Sequence, residues 1–154
     1  MAEEKKLINS ESKVENDNLK IVIGTVDKKS PIVDYIEISG YMVPDTEESG
    51  YANILNILEK QLKRAFNDRF YDRRDIFETT HMFLFEVADK RIKPGKKSYF
   101  TIQTYFKLTD SGVEKIGSTF KSVVAGINEE FNEIFNQLPD IFKNGGFSVS
   151  KTKS

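Results

Sequence analysis

From Tyr99 to Leu108, apolar and polar side chains alternate. Phe100, Ile102, Phe106 and Leu108 share one parity, and Tyr99, Thr101, Gln103, Tyr105 and Lys107 share the other, with Thr104 alone breaking the apolar row. A strand turns successive side chains to opposite faces, so this segment predicts one buried face and one face of tyrosines among polar groups. The stretch HMFLFEVADKR before it alternates in the same way, and Pro94-Gly95 between them suits the centre of a type II turn. Pairing Lys93 with Lys96 around that turn sets Phe83 opposite Phe106, Phe85 opposite Thr104 and Val87 opposite Ile102. On the reverse face it sets Leu84 opposite Tyr105, Glu86 opposite Gln103 and Lys90 opposite Tyr99.

Two further strands precede this hairpin. LKIVIGTV (19–26) is rich in β-branched residues, and DKKSP after it reads as a turn. IVDYIEISGYMV (32–43) directs Ile32, Ile36, Ile38 and Met42 inward and Tyr35, Glu37, Ser39 and Tyr41 outward. Helical spacing takes over at Tyr51, Ile54, Leu55, Leu58, Leu62 and Phe66. NDRFYDRRDIFETT (67–80) is open between a continuation of that helix, with Arg64–Asp68 and Arg69–Asp72 pairs, and a loop carrying Phe70, Tyr71 and Phe77.

A second apolar stripe runs from Val113 through Ile116, Phe120, Val124, Ile127, Phe131 and Phe135 to Leu138. It predicts one long helix capped by Asp110 or Ser111, the latter with Glu114 in a capping box, and stopped by Pro139. Gly117 and Gly126 inside it each cost about 1 kcal/mol relative to alanine. KNGGFSVSKTKS reads as a turn, a short edge strand and a basic tail.

The fold class expected is α+β. An antiparallel sheet in β-β-α-β-β-α order carries its helices on one face, ends in a long C-terminal helix and has room for a short fifth strand. Residues 1–17, polar and mixed in charge, read as a flexible arm; 18–143 as a single domain; and 144–154 as a C-terminal turn, edge strand and tail.

Composition changes this picture mainly by exclusion. A chain of 154 residues with 38% hydrophobic and 31% charged residues suits a globular domain with a well-charged surface. A net charge of −1 provides no global attraction to nucleic acid or anionic membrane, so any electrostatic partner must be met by a local patch. The absence of cysteine excludes disulfides and thiolate chemistry and fits a reducing compartment. With no signal-peptide pattern and no membrane-spanning run, the expectation is a cytoplasmic protein, or a viral or mobile-element protein made in a cytosol, without a membrane partner.

Catalytic chemistry has few footholds. His81 is the sole histidine, and Glu86, five residues along the same strand, points to the other face. Gly145-Gly146 lacks the Lys and Ser/Thr of a phosphate loop, and Glu129-Glu130 reads as a solvated helix face. No catalytic set, metal site or cofactor is assigned.

Two surfaces remain. Lys90, Arg91, Lys93, Lys96 and Lys97 crowd the hairpin tip, either as charge that protects a sheet edge or as a basic finger for phosphates or an acidic protein. Tyr35, Tyr41, Tyr99, Thr101, Gln103, Tyr105 and Lys107 form the candidate binding face. Tyrosine offers large contact area at low entropic cost, which suits protein contact; it also stacks on bases, which suits single-stranded nucleic acid. Glu37 and Glu86 on that face favour protein. The leading expectation is a non-enzymatic, homo-oligomeric assembly protein, or one that binds another protein. A single-stranded nucleic-acid binder is the alternative, and an enzyme with a carboxylate or tyrosine site comes third.

Overall fold

The computed structural model of the chain describes residues 9–15, 19–25, 35–44, 51–78, 82–88, 96–117 and 119–150. Strands β1 (Asn9–Glu15), β2 (Leu19–Thr25) and β3 (Tyr35–Pro44) precede helix α1 (Tyr51–Asp72). Strands β4 (Met82–Val87) and β5 (Ser98–Tyr105) follow, then helices α2 (Asp110–Ile116) and α3 (Phe120–Asn144) and strand β6 (Phe147–Ser150). All strand pairs are antiparallel, in the order β1-β2-β3-β5-β4. Strand β6 lies along the same edge of β3 as β2, pairing Tyr41–Pro44 beyond the stretch that β2 covers.

The α+β architecture expected from the alternation and the helical stripes is present, with the helices on one face. Ile36, Ile38, Met42, Phe100 and Ile102 point to that face, where Leu58, Leu62 and Phe66 of α1 and Ile127, Phe131 and Phe135 of α3 bury against them. Phenylalanine dominates the junction between the helices. Phe131 lies within 5.1–6.2 Å, ring centre to ring centre, of Phe66, Phe70, Phe77 and Phe135. Such contacts add about 0.5–1.5 kcal/mol per pair beyond area burial.

Several expectations are corrected. Within the expected arm, Asn9–Glu15 is a strand in full register with β2. The short strand expected near the C-terminus, by contrast, is present as β6, whose Phe147 is fully buried opposite Pro44. The 67–80 segment remains helical to Asp72, then turns so that Ile76 and Phe77 enter the core. Thr109, rather than Asp110 or Ser111, caps α2, its hydroxyl accepting the Gly112 N–H at 2.9 Å.

The long helix is two helices. Gly117 adopts φ 126°, a conformation that residues with a Cβ rarely enter, and Thr119 starts α3 with a capping box closed by Ser122. Gly126 lets Ile116 of α2 pack onto α3, since a Cβ there would lie 2.5 Å from the Ile116 side chain. Pro139 lies inside α3 rather than ending it. An interior proline costs roughly 3 kcal/mol, and full burial of Leu138 and Phe142 on either side offsets it.

The hairpin keeps its expected faces but not its register. Phe83 pairs with Thr104, Phe85 with Ile102 and Val87 with Phe100, two residues from the expected alignment. A slip of two preserves which side chains face inward, so alternation alone cannot exclude it. The turn that would decide, with Pro94 and Gly95, lies outside the described residues. Ile102 and Phe106 are buried as expected, whereas Phe83, Phe85 and Val87 are only half-buried because β4 is an edge strand.

Candidate functional site

The outer face of β4, β5 and β3 is a ladder of four rungs. Register sets Met82, Tyr105 and Tyr35 on the first and Leu84, Gln103 and Glu37 on the second. Glu86, Thr101 and Ser39 form the third. On the fourth, Tyr99 faces Tyr41, and the Ala88 N–H donates to the Tyr99 carbonyl at 2.8 Å. Among the described residues the helices pack on the opposite face of this sheet, so strand pairing sets the order of the rungs.

The tyrosines are joined in cross-strand couples. Tyr35 and Tyr105 rings lie 5.0 Å apart at 50°, and Tyr41 meets Tyr99 edge to face at 5.4 Å. Between them, the Tyr35 hydroxyl donates to Glu37 Oε1. Gln103 Nε2 donates to the Tyr35 hydroxyl at 3.0 Å and to Glu37 Oε1 at 3.2 Å. Burial, reinforced by the hydrogen bond to Glu37 and the carboxylate charge, drives the Tyr35 phenol well above the usual tyrosine range. Tyr35 is only 4% exposed and thus organises this corner instead of presenting its ring.

Exposure is concentrated elsewhere on the ladder. Met82 is 53% exposed, Leu84 40% and Tyr99 40%, while Tyr41, Tyr105, Thr101 and Gln103 are half-buried. Ser39 is buried. Met82 and Leu84 were absent from the expected binding face, although the outward parity of HMFLFEV contained the signal. Lys107 is exposed past the end of β5, and Lys96 and Lys97 are exposed just before it. The other members of the basic group, Lys90, Arg91 and Lys93, lie outside the described residues, as does His81.

A second polar cluster joins α1 to α3. Glu130 receives Arg69 Nη2 at 2.8 Å and Arg73 Nη1 at 2.7 Å. Arg69 therefore reaches across to α3, not along its own helix to Asp72. The Lys115 ammonium, followed by Arg73, holds the exposed Asp75 carboxyl below its usual range. This network clamps α1, α2 and α3 at their junction and lies away from the outer face.

Among the described residues, no helix is long and apolar enough to cross a membrane. No protein-family model, curated protein or solved structure matches the chain.

Proposed function

We propose that this chain is a non-enzymatic assembly protein that joins copies of itself through the outer face of β4, β5 and β3. The observation that carries this reading is the exposure of Met82, Leu84 and Tyr99 on one sheet face, in rungs shared with Tyr105 and Tyr41. Apolar side chains exposed on one sheet face and interleaved with polar groups are costly to leave in water and suit a contact surface. Thr101, Gln103 and Glu86 provide hydrogen-bonding groups between the apolar positions, a composition that matches a protein interface. Replacing Tyr41 and Tyr99 together by alanine should lower the solution mass while the chain keeps its fold. Removal of a central aromatic anchor commonly costs about 2 kcal/mol or more, roughly thirtyfold in affinity. A dimer mass unchanged by both substitutions contradicts the reading.

One observation favours a second reading, a single-stranded nucleic-acid surface. The outward row of β5 is flanked by exposed cations, Lys96 and Lys97 before Tyr99 and Lys107 after Tyr105. Base stacking on tyrosine contributes about 1–3 kcal/mol per base, and cations at both ends would add a salt-dependent term. Glu37 and Glu86 on the same face oppose a polyanion. Titration of a labelled oligonucleotide at low and high salt separates the two: assembly predicts no salt-dependent binding, and a steep salt slope supports the second reading.

A further inference from the structure

We infer that two copies of the chain join edge to edge through β4, antiparallel, about a two-fold axis at Phe85. This rests on the reading that the chain joins copies of itself, and it sets the contact at the rim of the sheet, with the outer face continued across both copies and not buried between them.

Among the described residues, β4 pairs with β5 alone and forms one rim of the sheet. The Ala88 N–H donates to Tyr99, so antiparallel alternation directs the backbone of Leu84 and Glu86 toward β5 and that of Phe83, Phe85 and Val87 toward the open side. Proteins ordinarily blunt such a rim with charge, proline or a bulge. The opposite rim, β1, is blunted in this way, with Glu11, Lys13 and Glu15 in the sequence NSESKVE. Strand β4 reads MFLFEV, with Glu86 as its single charge. Its Met82 and Leu84 are exposed, and Phe83, Phe85 and Val87 are only half-covered. A row of unpaired backbone N–H and C=O groups is a ready template for another strand.

The strand is complementary to itself in one register. An axis at Phe85 pairs Phe85 with its counterpart and Phe83 with Val87 of the second copy, completing about six backbone hydrogen bonds and using all three open residues. Leu84 then lies beside Glu86 of the second copy, on the outer face. An axis at Glu86 would oppose two carboxylates, and an axis at Leu84 would pair only Phe83 and Phe85 among the described residues. The chosen register thus keeps the two Glu86 side chains apart and extends the outer ladder into the second copy.

Light scattering on the 154-residue chain and two exposed-site variants tests this. Leu84→Glu sets a carboxylate against Glu86 of the second copy, and Leu84→Lys sets an ammonium there. The wild type should have twice the 17.7 kDa chain mass. Leu84→Glu should weaken the dimer about tenfold or more, Leu84→Lys should retain it, and both should keep the wild-type far-UV circular dichroism. Equal dissociation by both variants, or a dimer untouched by Leu84→Glu, would overturn the proposal. If Tyr41→Ala with Tyr99→Ala dissociates the dimer while both Leu84 variants stay dimeric, the edge is wrong and the face reading stands. A wild-type monomer at every concentration overturns both.

Discussion

Five large apolar side chains stand exposed among the described residues, and they fall into two regions that differ in kind. On α1, Ile57 is 52% and Tyr71 61% exposed, more than Leu84 or Tyr99. Yet fourteen positions separate them, about 21 Å along the helix, and the Arg74 guanidinium covers the Tyr71 ring at 4.4 Å. On the sheet, Met82 and Leu84 stand on adjacent rungs, and Tyr99, about 20 Å along the strand direction from Met82, is linked to them through half-buried Tyr105, Gln103, Thr101 and Tyr41 on the same face. Isolated apolar side chains on a surface are ordinary, whereas several on one sheet face, bridged by partly buried aromatics, suit a contact surface. Exposure by itself does not set the two regions apart; sharing one sheet face does.

The largest expected effect lies beneath both regions. Phe131→Ala should cost about 3–5 kcal/mol in a denaturant or thermal melt, because its ring is fully buried among four other phenylalanines. A melt unchanged by that substitution would mean α3 does not support the sheet, and the ladder would lose its backing. The direct contrast comes next. Ile57→Ala and Tyr71→Ala should each shift stability by less than about 0.5 kcal/mol and leave the solution mass alone. The paired substitution of Tyr41 and Tyr99 should lower the mass. Equal effects on mass from the two regions would erase the comparison.

A smaller effect separates the inner face from the outer. Thr104 points inward, is 1% exposed, and its hydroxyl has no hydrogen-bond partner. Leaving a buried polar group unpaired costs about 1–3 kcal/mol, so Thr104→Val should raise stability by about 1 kcal/mol without altering mass. Tyr35 gives the smallest, visible only at high pH. The folded chain holds its phenol neutral, so stability is undiminished up to the ordinary value of 10.0 and falls as pH climbs toward the raised folded value. Phenolate absorbance should therefore show one tyrosine ionising only as the chain unfolds, and Tyr35→Phe should abolish that lag. Simultaneous ionisation of every tyrosine would contradict the hydrogen-bonded corner.

Much of this was legible in the chain because alternation reports faces. Ile36, Ile38 and Met42 inward, and Tyr35, Glu37 and Tyr41 outward, follow from parity alone, as do both sides of β5. Register does not, since a slip of two leaves every face unchanged. Strand β1 was illegible because Val14 is its single apolar residue, and its pairing depends on the open backbone of β2. The apolar stripe runs on through Ile116 and Phe120 as if unbroken, so the break at Gly117 appears only in its positive φ. Arg69 and Glu130 are 61 residues apart, beyond any local pairing rule. On the candidate face, the tyrosines were visible as a pattern, but which of them reach solvent depends on packing: Tyr35 is covered and Tyr99 is not.

Side-chain footprinting of the chain across a concentration series reads both exposed regions within one sample. If copies join through the outer face, Met82, Leu84 and Tyr99 should lose labelling as concentration rises, while Ile57 and Tyr71 are labelled equally throughout. Protection of Ile57 and Tyr71 instead, or labelling of all five that never changes with concentration, would contradict it.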